Sequence, residues 1–175
     1  MPWDDTRLIV GELTAAGLQS PKVIAGGPGE SVLEPQWDAD GSLYFLSDRS
    51  GWWNLYRWRG TEVEPVLVMA AELGGALWNP GQCSYALTGD GRALLRIGRD
   101  AVDRLALLDL RTNALQTLDL PFVGFSSIGL LDTNTAYALV ASPDDVPALV
   151  TIDLTDHTHT VVRRAGAAPI AAASI

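Results

Sequence analysis

Only a few stretches of this chain hold residues that could do chemistry, and their spacing decides what that chemistry would be. The two histidines, His157 and His159, stand two apart in Asp-His-Thr-His-Thr. On a strand both rings would project from one face, but a metal centre needs a third ligand and Asp156 alone is adjacent. Exposed threonine-histidine alternation on an outer strand is the simpler reading. Gly124 to Gly129 reads Gly-Phe-Ser-Ser-Ile-Gly, one residue too long for a Gly-x-Ser-x-Gly nucleophile elbow and with no helix pattern behind it. Asp38-Ala39-Asp40-Gly41 starts like a calcium loop yet lacks the later carboxylates such a loop requires, so a hairpin turn is expected. Gly26 to Val32 is glycine-rich but lacks the second half of either phosphate-binding pattern, and reads as a loop. No catalytic residue, metal site or cofactor is expected. The candidates for binding are Arg49, Trp52 and Trp53, a cation and two aromatics gathered in one turn.

Composition narrows the partners. The chain has 175 residues, 12 basic against 21 acidic, a net charge of −9, and a single lysine, Lys22. Nucleic acid and anionic membrane surfaces need clustered Lys and Arg, and the closest arginine pair is Arg163-Arg164. Cys83 is the only cysteine, so neither an internal disulfide nor a thiolate metal cluster can form. The opening Met-Pro-Trp-Asp-Asp has no basic n-region, and no run approaches the ~18 to 20 apolar residues of a membrane span. A cytoplasmic setting is the expectation.

The elements that would position these residues are strands. Apolar runs at Leu8 to Val10, Leu43 to Leu46, Ala93 to Leu95, Leu105 to Leu110, Ala136 to Ala141 and Ala148 to Leu154 are short and bounded by turn residues. Several are apolar at consecutive positions, which predicts burial on both faces. The best helix candidate is Val66 to Leu73, stopped by Gly74-Gly75. The fold class is therefore all-β.

The turns repeat. Asp40-Gly41 and Asp90-Gly91 lie between candidate strands 50 residues apart, and Asp132-Thr133-Asn134 holds the comparable place further on. Two strand, Asp-Leu, turn, strand units at Leu107 to Leu120 and Thr151 to Val162 are 44 residues apart. A period of about 40 to 50 residues with four strands per unit points to the blades of a β-propeller. The expected division is a two-strand half blade over 1–27, blades over 28–68, 69–121 and 122–164, and a linker or disordered tail over 165–175. The whole is a partial propeller of about three and a half blades, too few to close a ring.

Residues Pro35 to Trp58 then carry a family resemblance. Trp37, Asp40 and Gly41, followed by Ser47, Asp48, Arg49, Gly51, Asn54, Leu55 and Tyr56, resemble the blade repeat of the prolyl oligopeptidase family of serine peptidases. The dipeptidyl aminopeptidase and acylaminoacyl-peptidase-like branch is the nearest pattern. Asp38-Ala39 stands where that pattern has Ser-Pro, and the likeness fades beyond about residue 80. The resemblance implies a non-catalytic propeller segment. Its partner would be a C-terminal α/β-hydrolase domain that this chain does not contain, and in the parent it would restrict access to short peptides. No peptidase site residue carries over. By that pattern Asp48 would accept turn amides, Gly51 would take positive φ, and Tyr44, Phe45, Trp53 and Tyr56 would pack between blades. A second reading is a stand-alone scaffold that self-associates through exposed sheet edges, two copies together making seven blades. A metal-dependent propeller hydrolase ranks last, because no convergent Asp, Glu and His set is visible.

Overall fold

The computed structural model describes residues 4–78 and 81–166. Fourteen strands and no helix make up the described residues, and no helix among them is long and apolar enough to cross a membrane. The chain divides into two compact units, Met1–Glu72 and Leu73–Ile175. The expected tail lies, from residue 167 on, outside the described residues.

In the first unit, β1 (Arg7–Thr14) and β2 (Gly17–Gly26) form a two-stranded antiparallel sheet. A four-stranded sheet follows in chain order: β3 (Val32–Trp37), β4 (Leu43–Ser47), β5 (Asn54–Trp58) and β6 (Val63–Leu67). The second unit holds two more such sheets. One is β7 (Tyr85–Leu87), β8 (Arg92–Arg99), β9 (Val102–Asp109) and β10 (Leu115–Thr117), and the other is β11 (Gly124–Leu130), β12 (Thr135–Ala141), β13 (Ala148–Asp153) and β14 (His159–Arg164). Every strand in these sheets pairs antiparallel with its neighbours in sequence, the arrangement of propeller blades. The fold is an all-β partial propeller.

Local chemistry explains the turns. Between β3 and β4, Asp40 accepts from the Ser42 amide at 2.8 Å, and Gly41 takes φ +82°. Between β9 and β10, Asp109 accepts from the amides of Arg111 at 2.9 Å and Thr112 at 2.7 Å. Asp132 does the same for Asn134 and Thr135, both at 2.8 Å, and Asp153 for Thr155 at 2.7 Å. Each is an aspartate capping amides two or three residues further on, which fixes where the chain reverses.

Packing separates central strands from the rest. All five residues of β4 are buried, as are Ala93 to Leu95 of β8 and Leu105 to Leu108 of β9. In the second unit Leu94, Leu105 and Leu107 pack on Phe125, Ala138 and Val150 of the neighbouring sheet. Phe122 and Phe125 meet edge to face at 6.0 Å. Each such fully buried leucine contributes roughly 1.5 to 3 kcal/mol of transfer free energy.

Two sequence expectations fail. The run Ala136 to Ala141 is not buried on both faces: Ala136, Ala138 and Val140 enter the core, while Tyr137 and Leu139 remain 37% and 45% exposed. Small alternating residues made a one-sided strand look two-sided. Val66 to Leu73 is not helical either. Val63–Leu67 pairs with β5, and the buried Asn54 side chain then takes the backbone beyond it. Asn54 Oδ1 accepts from the Met69 amide at 2.6 Å, and Nδ2 donates to the Ala71 carbonyl at 3.0 Å. These two bonds tie the chain after β6 back to β5.

Candidate functional site

Arg49, Trp52 and Trp53 lie in the connection between β4 and β5, which reverses through Asp48 to Gly51. The Gly51 amide donates to the Asp48 carbonyl at 2.7 Å, and Gly51 has φ +88°. Asp48 itself serves a different partner from the one its turn suggests. Its carboxylate accepts from the Ser31 amide at 2.7 Å, while the Asp48 amide donates to the Ser31 carbonyl at 3.2 Å. The turn is thereby bound to the segment that leads into β3, and the Ser47 hydroxyl caps the Arg49 amide at 3.2 Å.

Arg49 is anchored from three directions. Glu30 Oε1 accepts from Nε at 2.9 Å and from the terminal nitrogen at 2.7 Å, and it also accepts from the Ser47 hydroxyl at 2.6 Å. The guanidinium carbon lies 5.0 Å from the Tyr56 ring centre, in cation–π range. One third of the Arg49 side chain still meets solvent, so the group is held in place with one edge presented outward. Glu30 is the residue sequence reasoning missed. It sat in a glycine-rich loop, 19 residues from Arg49, and nothing in the local pattern marked it.

Trp52 is 42% exposed, whereas Trp53 is half-buried. Both precede β5, so strand alternation does not govern them. The Trp53 amide donates to Glu72 Oε2 at 2.9 Å, and its indole Nε1 is buried with no hydrogen-bond partner. Next to it the Asn54 clamp described above fixes the loop after β6. Tyr44, Phe45 and Tyr56 are buried, with Phe45 and Tyr56 against Leu8 and Ala25, while Trp53 is only half-buried.

An open cleft of about 610 Å³ lies in the other unit, lined by Arg92, Asp109, Gln116, Asn134 and His157 among others. Arg92 is already committed. Its Nε donates to Asp90 at 2.9 Å and its terminal nitrogen to Asn134 Oδ1 at 3.0 Å. Asp90 also accepts from the Thr88 hydroxyl, and the Arg92 guanidinium, ahead of that hydroxyl, holds the Asp90 carboxyl down to about 2. Asp109 is lowered by the amides it caps, that of Thr112 first. These are structural carboxylates kept ionised by their turns.

The two histidines do not share a strand face. His157 adopts φ +63° in the turn before β14, while His159 packs against Phe122 at 4.9 Å. Among the described residues no group of three or more His, Cys, Asp and Glu is placed to hold a metal ion. Gly124 to Gly129 is strand β11, with Gly129 beneath the Tyr137 ring. It is not a nucleophile turn.

No protein-family model matches the sequence, and no match is found among curated proteins. Solved structures do match. A puromycin-hydrolyzing peptidase of Mycobacterium tuberculosis is 32% identical with a TM-score of 0.88, over 97% of this chain and 27% of that one. A puromycin hydrolase is 26% identical with a TM-score of 0.87, over 99% of this chain and 26% of its own. Prolyl oligopeptidase B from Galerina marginata shares the fold at 12% identity and a TM-score of 0.73, over 98% and 24% of the two chains. This chain spans about a quarter of the length of each of these proteins.

Proposed function

For a chain that is a segment of the β-propeller of the prolyl oligopeptidase family, we propose a non-catalytic role: shaping peptide access to a C-terminal α/β-hydrolase domain outside this chain. The observation that carries this reading is the match to two puromycin-hydrolysing enzymes over nearly all of this chain and only a quarter of theirs. A quarter of a peptidase that is all blade has room for a wall and not for a nucleophile.

In this reading the turn around Arg49 is the working surface. A guanidinium held by Glu30 and Tyr56 keeps a fixed position at low entropic cost. It would meet peptide carbonyls or a carboxylate, with Trp52 as the exposed apolar neighbour. The closer kinship to dipeptidyl aminopeptidases or acylaminoacyl-peptidases belongs to the same proposal and rests on the motif from Ser47 to Tyr56.

The test is a graft. This chain replaces the matching quarter of the mycobacterial peptidase, and hydrolysis of puromycin and of peptides of increasing length is measured. The expected result is retained puromycin hydrolysis with a length limit that Arg49→Ala and Trp52→Ala relax. The isolated chain should hydrolyse neither. Turnover by the isolated chain, or a graft whose length limit ignores both variants, would overturn the reading.

A further inference from the structure

The cleft of the second unit has two complete walls. The sheets β7–β10 and β11–β14 meet along β7, β9 and β11. The cleft, of about 610 Å³, opens between them where β9 turns into β10 and β13 into β14. Both sheets are four-stranded, so each wall is whole within this chain. Leu107, Ala114 and Leu154 supply its apolar lining. Gln116 pairs with Leu107 across β9 and β10, and so stands on the same face. The core ends there: Leu107 and Leu154 are buried, while Ala114, Gln116 and Thr155 are exposed.

Two turns of one design border this opening. In each, an aspartate, Asp109 or Asp153, accepts from the amides two and three residues on through Oδ1 alone. In each, the carbonyl of that aspartate takes the amide of a left-handed residue, Asn113 with φ +59° or His157 with φ +63°. The two differ in place, because Asp109 lines the cleft and Asp153 does not. With the capping bonds on Oδ1, Asp109 Oδ2 keeps acceptor capacity for a ligand. The amides of Thr112 and then Arg111 hold its carboxyl below the usual range, so it is ionised at neutral pH. Arg92, the cation of the lining, is already paired with Asp90 at 2.7 Å. Asn134 has its oxygen on Arg92 and offers its NH2 outward, which suits a peptide carbonyl. Around the cleft the turns carry Asp90, Asp109, Asp132, Asp153 and Asp156 against Arg92 and Arg111. An apolar stem with a positive head matches that order, its methylenes over Leu107, Ala114 and Leu154 and its charge on Asp109. A carboxylate or phosphate would instead meet the unbalanced charge of Asp109.

We propose that this cleft docks a basic segment of another polypeptide, one arginine or lysine side chain of which enters between Gln116 and Thr155 and pairs with Asp109. The Asn134 amide holds the backbone of the same residue. The inference takes nothing from the peptidase reading, because the segment is held and no bond in it is broken. Failure of either leaves the other standing.

The experiment titrates the isotope-labelled full chain with capped tripeptides, acetyl-Gly-Xaa-Gly-amide, and follows the amide chemical shifts. With arginine or lysine as Xaa, a Kd of about 1 mM is expected, with shifts gathered at Gln116, Asn134 and Thr155 to His157. Norleucine, which keeps the stem, and glutamate should each bind about tenfold more weakly. n-Propylguanidine, the arginine side chain alone, should also lose about tenfold, because it has no backbone for Asn134 to hold. Two variants decide whether the cleft itself is responsible. Asp109→Asn and Asp153→Asn each keep an oxygen for the capped amides and remove one charge from the same end of the unit. Their unperturbed shifts elsewhere would show that the turns survive. Asp109→Asn should weaken the arginine tripeptide about tenfold, and Asp153→Asn less than about twofold. Equal effects would mean diffuse attraction to an acidic surface and would overturn the proposal. Norleucine or glutamate binding as well as arginine, or no binding by any tripeptide, overturns it too. n-Propylguanidine matching the tripeptide would overturn the polypeptide as occupant and give the cleft to a small cation.

Discussion

Asn54 offers the sharpest stability test. It is fully buried, and it holds both the Met69 amide and the Ala71 carbonyl. Asn54→Leu keeps the branched shape and the number of heavy atoms and removes both bonds. Each bond is worth about 1 kcal/mol net, and each stranded backbone group costs roughly 1 to 3 kcal/mol more if water cannot reach it. A loss of about 3 kcal/mol is expected. In urea, at a slope of about 2 kcal/mol per molar, the midpoint should fall by about 1.5 M, read from tryptophan fluorescence. Asn54→Asp adds a signature that simple packing loss lacks. One oxygen still accepts from Met69, but the other faces the Ala71 carbonyl, and burial there favours the protonated acid. The folded-state pKa would then lie above the unfolded value. Protons are therefore held more tightly when folded, and the deficit shrinks as pH falls and grows as it rises. The variant should be closer to wild type at about pH 5 than at about pH 7. A loss below about 1 kcal/mol for Asn54→Leu, or no pH dependence for Asn54→Asp, would show that the loop after β6 is held by something else.

Three further outcomes are expected. Gly26 has φ +84°, and a Cβ there would sit 2.1 Å from the Thr6 carbonyl oxygen, so Gly26→Ala should cost more than about 2 kcal/mol in urea unfolding. Gly129→Ala brings a Cβ to 2.5 Å from Tyr137 Cζ. Because Tyr137 can swing toward solvent, a cost of about 1 to 2 kcal/mol is expected, and a double-mutant cycle with Tyr137→Ala should recover most of it. Asp90, held down to about 2 from 3.8, contributes stability that is fully present above its unfolded pKa and lost as pH falls through the folded one. Its side chain is 37% exposed, so screening limits the effect to less than about 1 kcal/mol. The thermal melt of Asp90→Asn should lie below that of wild type at neutral pH and merge with it near pH 2.

Much of the fold was legible because propeller sheets are local objects. Apolar runs bounded by Asp-Gly are enough to show strands and hairpins when each strand pairs with its neighbour in sequence, as at Asp40-Gly41 and Asp90-Gly91. What stayed hidden depends on side chains meeting across sequence. Val66 to Leu73 has helical composition, and pairing with β5 together with the Asn54 side chain decides otherwise. Glu30 could not be matched to Arg49 from a loop read for its glycines. The histidines kept their spacing but lost their shared face, because a left-handed turn at His157 resets the alternation. Tyr137 and Leu139 look like core until it is clear that their sheet is buried on one side alone.

The sequential order of strands within each sheet has a consequence for how the chain is made. No sheet among the described residues borrows a strand from a distant part of the sequence. A ribosome therefore delivers each four-stranded sheet whole before the next begins, and turns capped by their own aspartates let hairpins close within a few residues of emerging. Folding can keep pace with synthesis, sheet by sheet, with little entropy spent on closing long loops.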